Sequence, residues 1–409
     1  MASTSAASTV SARNLALQVI MLLGVVALFG DVVYEGARSV TGPYILLLGG
    51  SAVVVGVVAG IGEFFGYGIR LASGYLADKT HRYWGITIAG YAMLISVPLL
   101  AFAGSWELAA LLIVLERVGK GIRSPAKDAL LSHASRGVGR GWGFAIHEAL
   151  DQVGAIAGPL VFTFTILAGG SGIGDYRFGF LLLAVPLAIL LAVLLYTREA
   201  IPNPVGFEEA IAAESPHEER GIPSVFLPYA VFTGLSMLGF ATFPILAYHW
   251  KLHAIIPDAE IPLLFAVAMG VDAVMALIAG RTYDKKGLSI LLILPFISIL
   301  VPIFAFAFSY NLVIVGAVLW GAAMGIQETV LRAAIADYTH IRKRGTAYGI
   351  FNTVYGGAWF IGSVVLGLLY EIRIEYILVF VGIAELAALI AFFWMRREVQ
   401  NCSKCGMDA

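Results

Sequence analysis

The chain has 409 residues, of which 59% are hydrophobic and 13% charged, with a mean hydropathy of +0.87; this excludes an ordinary soluble domain and describes a polytopic membrane protein. A formal net charge of -1 gives no case for nucleic acid. Only two cysteines are present, Cys402 and Cys405, which excludes a disulfide scaffold and a buried cysteine metal cluster.

Residues 1–14 open with a Ser, Ala and Thr-rich stretch that has no basic n-region or cleavage site, so they read as a disordered cytoplasmic tail rather than a signal peptide. Apolar runs long enough to span a bilayer follow at about 15–44, 51–74, 84–103, 106–132, 142–168 and 178–197, then 224–248, 261–281, 288–308, 312–336, 346–369 and 375–395. At roughly 20 residues per span this is an all-α chain of about twelve transmembrane helices. The polar stretch 198–223, carrying Pro202, Pro204, Pro216 and the acidic Glu208, Glu209, Glu214, Glu218 and Glu219, reads as a cytoplasmic linker between an N-terminal six-helix bundle (15–197) and a C-terminal one (224–395). Residues 396–409 form a second tail. Lys and Arg crowd the connections on the side of the N-terminus, with Lys79, Arg82, Arg136, Arg140, Lys285, Lys286, Arg342, Lys343 and Arg344 there against Arg177, Lys251 and Arg373 on the other side. Both termini are therefore expected in the cytoplasm and the chain in the plasma membrane.

The halves repeat without inversion. Gly74-Tyr75-Leu76-Ala77-Asp78-Lys79 is echoed by Gly280-Arg281-Thr282-Tyr283-Asp284-Lys285, and the run Leu115–Ile122 by Leu319–Ile326, both at a shift of about 205 residues. Two bundles related by an axis along the membrane normal, with a site at their interface, describe a rocker-type secondary transporter that is expected to work as a monomer.

Charge inside the spans marks that site, because an unpaired ionisable group near the bilayer centre costs from about 3 to more than 10 kcal/mol. In the fourth run Glu116, Lys120, Arg123 and Lys127 form one helical stripe, beside Arg117, Gly121, Ser124 and Asp128. Arg117 falls near the midplane. In the fifth run His147 and Asp151 share a face; in the first, Asp31 and Glu35 lie one turn apart with Arg38 beyond. The proton-coupling set is read as Asp31, Arg117, His147 and Asp151. One carboxylate pairs with Arg117 when ionised and releases it when protonated, Asp151 with His147 one turn away being the expected carrier and Asp31 its partner on the substrate side. The bland alternatives are an outer ion pair around Glu35 and Arg38 and a satisfied interior hydrogen bond between His147 and Asp151. Glu35, Arg38, Lys120, Arg123, Glu148, Trp320, Glu328, Arg332 and Tyr355 are expected around a central cavity, although Glu328 and Arg332, at i and i+4, would also neutralise each other. Glu63 and Asp272 are lone acids without an assigned role. Two histidine or carboxylate ligands do not make a metal site, so none is expected. No nucleophile, base and oxyanion constellation appears, so neither enzyme chemistry nor a cofactor is expected, the proton gradient serving as the energy source.

Several of these residues also fall into motifs. Gly74-Tyr75-Leu76-Ala77-Asp78-Lys79-Thr80-His81-Arg82-Tyr83 resembles the loop between helices two and three of the major facilitator superfamily, with His81 where that family has a second Gly and Tyr83 where it has a basic residue. The second copy keeps the Gly as Gly287. Arg117-Val118-Gly119-Lys120-Gly121 resembles the family's fourth-helix pattern, and Gly154-Ala155-Ile156-Ala157-Gly158-Pro159 its antiporter signature, without the further Gly that follows there. The stretch from Glu116 to Leu130, with His147-Glu148-Ala149-Leu150-Asp151, is similar to a prokaryotic branch of that superfamily. The resemblance implies a twelve-helix fold, alternating access, a gate built on Gly74, Asp78, Lys79, Arg82 and Asp284, a helix contact at Gly154, Gly158 and Pro159, and proton-coupled export of a small molecule. It implies no particular substrate. The alternatives are a proton symporter or facilitator for an organic anion or metal chelate, favoured by the basic stripe of the fourth run, and a membrane sensor that kept the fold without transport.

Overall fold

The structure, a computed structural model, describes residues 2–135, 140–200, 225–338 and 344–404, with the backbone alone described at 2–15, 133, 135, 140–145, 332, 336–338, 344–348 and 401–404. Most of the linker expected at 198–223 and the end of the C-terminal tail lie outside the described residues. Fifteen α-helices are found: α1 (Ala2–Leu47), α2 (Ala52–Thr80), α3 (Tyr83–Ala92), α4 (Ser96–Leu99), α5 (Trp106–Ser135), α6 (Arg140–Gly169), α7 (Ile173–Leu182), α8 (Ala184–Ala200), α9 (Phe226–Gly239), α10 (Phe243–Leu252), α11 (Glu260–Lys286), α12 (Ile293–Ala305), α13 (Tyr310–Tyr338), α14 (Arg344–Ile372) and α15 (Ile374–Lys404). The described residues contain no strand.

Ten stretches among the described residues are long and apolar enough to cross a membrane. α5 is not one of them, because Glu116, Arg117, Lys120, Arg123, Lys127 and Asp128 interrupt its apolar character. One stretch, Glu260–Ala305, runs for 46 residues, about 70 Å if straight and more than twice a bilayer's hydrocarbon thickness. Its two arms, α11 and α12, both pack on α13, so the chain doubles back between them. With α5 and these two arms, each of the twelve apolar runs has a helical counterpart. α1 is helical from Ala2, ahead of its apolar span Ala16–Leu47, in the stretch read above as a disordered tail; the alanines there have the strongest intrinsic helix preference. α15 likewise continues past 395 to Lys404.

The doubling back uses Gly287, which caps α11 at φ 56 with its N–H bonded to Tyr283 O. His81 caps α2 likewise at a positive φ of 52, bonded to Ala77 O, with ψ 20 where Gly287 has ψ -144. The Gly of the loop motif is thus the residue that terminates the helix, where a side chain is tolerated at a cost. The run 224–248 is not one helix but two. Phe240 turns to extended backbone at φ -81 and ψ 115, and Pro244 sits in the first turn of α10, where its missing N–H costs nothing.

Within the N-terminal half α1 packs on α6 and α8, and α5 on α2 and α3; within the C-terminal half α13 packs on α11 and α12, and α9 on α14 and α15. Equivalent glycines make equivalent contacts. A Cβ at Gly121 of α5 would lie 3.1 Å from the Gly66 carbonyl oxygen of α2, and one at Gly325 of α13 would lie 2.5 Å from the Asp272 carbonyl oxygen of α11. Gly154 of α6 closes on the Leu28 carbonyl of α1 as Gly362 of α14 closes on the Leu238 carbonyl of α9. The parallel repeat is therefore one of packing as well as of sequence. Three seams join the halves: α2 with α14, α6 with α11, and α1 with α10. Along the first, Ala52 meets Gly367, Gly56 meets Ser363, Gly60 meets Phe360, Tyr67 meets Gly356 and Leu71 meets Gly349. At the third, Gly42 abuts the Pro244 carbonyl so closely that no Cβ fits.

Candidate transport cavity and its charge network

Between the halves lies a cavity of about 310 Å³. The N-terminal half lines it with Asp31, Tyr34, Glu35 and Arg38 of α1, Glu63, Tyr67 and Arg70 of α2, Arg117, Lys120, Lys127 and Asp128 of α5, and His147, Glu148, Asp151 and Gln152 of α6. The C-terminal half adds Met269 and Asp272 of α11, Met324 and Glu328 of α13 and Trp359 of α14. Asp128 and Glu148, at one end, are exposed; Glu35 and Arg38, towards the Gly42 seam, are buried.

A chain of ion pairs runs through α1, α2 and α5. Arg38 lies 3.4 Å from Glu35 and 3.9 Å from Glu63; Arg117 lies 3.3 Å from Glu63 and 3.6 Å from Glu116; Arg123 lies 3.9 Å from Glu116. All six side chains are at most 10% exposed. Glu63, left without a role by the sequence, joins the two arginines at the centre. Its signal was available: it is the single charge in the apolar stretch from Ala52 to Ile69, and an isolated intramembrane acid needs a partner.

This arrangement corrects the expected partnership of Arg117 with Asp31 or Asp151. Gly62 has no side chain to hold the arginine off; a Cβ there would stand 2.8 Å from Arg117 Cγ. The guanidinium is therefore laid along α2 beside Glu63, with the Tyr34 ring 4.4 Å away. Arg123 is drawn away from the cavity by the same device: Gly90 of α3 leaves room for it, and it rests 4.9 Å from the Tyr91 ring centre. The described polar contact of His147 is Lys127, whose Nζ lies 3.4 Å from Nε2, rather than Asp151. Trp320 is in the core, not on the cavity wall. Its Nε1 donates to Ala241 O (2.8 Å) at the break between α9 and α10, and its ring packs among Phe240, Phe243 and Phe265. Tyr355 packs its ring tilted against Tyr67 and Phe351 and edge-on to Trp359. The side chain of Arg332 lies outside the described residues.

Asp31 and Asp151 are brought together. A Cβ at Gly154 would stand 3.1 Å from Asp31 Cβ, and Asp151 is one turn before Gly154 on the same helix. Both line the cavity, and neither has a hydrogen bond or ion pair among the described residues. Lys120 Nζ sits 3.7 Å over the Tyr34 ring. Gly158 continues the α1 contact, seated against the Val32 carbonyl and 2.7 Å, measured from its would-be Cβ, from Gly36 N; Pro159 follows inside the helix. At the gating motif Gly74 approaches Pro125, and Asp78 accepts from Tyr83 Oη (3.4 Å). Asp78 borders a second cleft of about 480 Å³ shared with Gly349 and Asn352 of α14. Lys79 lies over Tyr75 (5.8 Å), while Arg82 and Asp284 are exposed at helix ends.

These features can be set beside known proteins. An uncharacterised protein of Mycobacterium tuberculosis strain H37Rv is 44% identical over 381 residues, covering 92% of each chain. An uncharacterised MFS-type transporter of Methanocaldococcus jannaschii is 26% identical over 365 residues, covering 87% of this chain and 89% of that one. Among solved structures, a POT family transporter in complex with 5-aminolevulinic acid superposes with a TM-score of 0.72 at 14% identity, covering 93% of this chain and 96% of that one. The nucleoside transporter NupG gives 0.70 at 15%, covering 92% and 98%. At such identities the likeness is one of fold. The family model described as Major Facilitator Superfamily matches residues 27–250 and 225–401, and with the doubled six-helix architecture and its central charged cavity the chain belongs to the major facilitator superfamily of membrane transporters.

Proposed function

We propose that the protein is a proton-coupled antiporter that exports a small molecule across the cytoplasmic membrane by alternating access. The observation that carries this reading is the pair Asp31 and Asp151: two carboxylates on either side of the α1–α6 contact, in the cavity between the halves, neither in a hydrogen bond or ion pair among the described residues. An acid bound to a permanent cation keeps its charge, whereas these two exchange protons with the cavity. When one is protonated the wall loses a buried charge, and the halves close over it without carrying an unpaired ion into a dry interface. Arg117 then serves as a brace rather than as the partner that comes and goes. The antiporter-like signature is what holds α1 and α6, and so the two acids, together. The distribution of Lys and Arg supports cytoplasmic termini and an open end at Asp128 and Glu148 that faces inward.

The test is Asp151→Asn in proteoliposomes with an imposed pH gradient. The variant is expected to keep binding and exchange but to lose gradient-driven accumulation; undiminished pH-driven transport overturns the assignment.

A further inference from the structure

Asp272 of α11 is 4% exposed, lines the cavity, and makes no hydrogen bond or ion pair among the described residues. Its electrostatic surroundings are mostly acidic: Glu328 of α13, Glu148 of α6 and Glu35 of α1, against the one cation Arg38. Arg38 is already held by Glu35 and Glu63. Asp272 Oδ1 stands 2.9 Å from the Cβ position of Gly325, and Glu328 follows Gly325 by one turn, so two carboxylates share the C-terminal wall. Among the described residues that wall has no cation; its other lining groups are Met269, Met324 and Trp359.

Among the described residues the cations of the cavity all stand on the opposite wall, and they are engaged there. Arg117 and Lys127 pair with acids of their own half. Lys120 lies in the field of Glu35 and Asp31. Arg70 donates to Gly66 O and rests on the Tyr67 ring. The acids of the C-terminal wall thus have no cationic partner among the described residues of that wall, and a buried carboxylate in that position takes either a proton or a positive partner from outside.

Building on the exchange reading above, we propose that the substrate is an organic cation whose protonated amine binds between Asp272 and Glu328, with its apolar body against Trp359, Met269 and Met324. An amine there gains charge-assisted hydrogen bonds from two carboxylates and the face of an aromatic ring. It also brings a positive charge between acids of both halves, Asp272 on one side and Glu35 and Glu148 on the other, which favours their approach around an occupied cavity.

The experiment uses the purified full-length protein and compounds that share an aromatic ring and a short chain: the amines phenethylamine and tryptamine, the neutral phenethyl alcohol and the anion hydrocinnamate. Thermal stabilisation against concentration reports binding to the folded state. The amines are expected to stabilise the protein and the other two to do so far less. Asp272→Asn and Glu328→Gln are each expected to weaken the amine effect by about tenfold or more, the usual scale for truncating one partner of a buried charge pair. Equal or stronger stabilisation by the alcohol or the anion overturns the proposal, as does an amine effect unchanged in the double variant, or no effect of either amine. The ranking of the compounds on the unaltered chain keeps the test decisive if a variant fails to fold. Amine binding without pH-driven uptake into proteoliposomes counts against the exchange reading alone; pH-driven uptake of hydrocinnamate without amine binding counts against the substrate class alone.

Discussion

Glu63 carries two arginines on one carboxylate, and all three are buried between helices. Its removal leaves Arg38 and Arg117 with only Glu35 and Glu116 for partners, a surplus of positive charge where water cannot screen it. Glu63→Gln is therefore expected to destabilise the protein by about 3 kcal/mol or more in thermal or denaturant unfolding. Asp31→Asn, which breaks no ion pair, is expected to change stability little; equal losses in the two would show that the pairs at Glu63 contribute nothing particular. The residues of this network were legible in the sequence as intramembrane charges, but of their partnerships only Glu35 with Arg38 was. Spacing along a helix says which side chains share a face, but not which acid of another helix Arg117 meets. What turned Arg117 towards Glu63 is the missing side chain of Gly62 on another helix, and no pattern within α5 reports that. Asp31 and Asp151 were easier to place: both lie on stripes that line the cavity, and neither is drawn into an ion pair among the described residues.

At the scale of single helices, the apolar runs located the spans well because length and hydropathy decide them. They did not show the break between α9 and α10, since Phe240, Ala241 and Thr242 are as apolar or small as their neighbours and only Pro244 hints at it. The loop motif offered more. His81 and Gly287, which differ in the sequence, both cap their helices at positive φ, so the family's Gly records a backbone requirement rather than a contact. The signature of α6 is likewise a record of close approach. A Cβ at Gly158 collides with the Val32 carbonyl of α1, so Gly158→Ala is expected to push α1 and α6 apart and cost about 1–3 kcal/mol of stability, as overpacking of a tight contact does. Because the contact also aligns Asp31 with Asp151, transport should fall further than stability does, which parallel unfolding and uptake measurements on the same preparation would show. A variant with unchanged unfolding and uptake would mean the two helices tolerate separation.

For the molecule as a whole, the repeat was within reach of the sequence, while the three seams between the halves were not. Seams are made by residues that meet across hundreds of positions, and no local pattern marks α2 and α14 as neighbours. The five contacts along that seam, from Ala52 with Gly367 to Leu71 with Gly349, span most of the length of both helices. Two rods touching along a line are free to roll but not to part, and so the mechanical degrees of freedom of this transporter are few. The pair behaves as an axle. Opening on one side must then be compensated on the other by rotation about that line, and the work falls on α1 with α10 and α6 with α11. A short cross-link joining α2 to α14 near Gly60 and Phe360 is expected to leave transport largely intact, whereas one joining α1 to α10 near Gly42 and Pro244 is expected to abolish it, uptake by the two cross-linked proteins being the measure. Arrest by the first link would mean that the axle slides. If it holds, the stroke of the transporter is set by how far two helices can roll on a row of glycines, a length the protein carries in its own backbone.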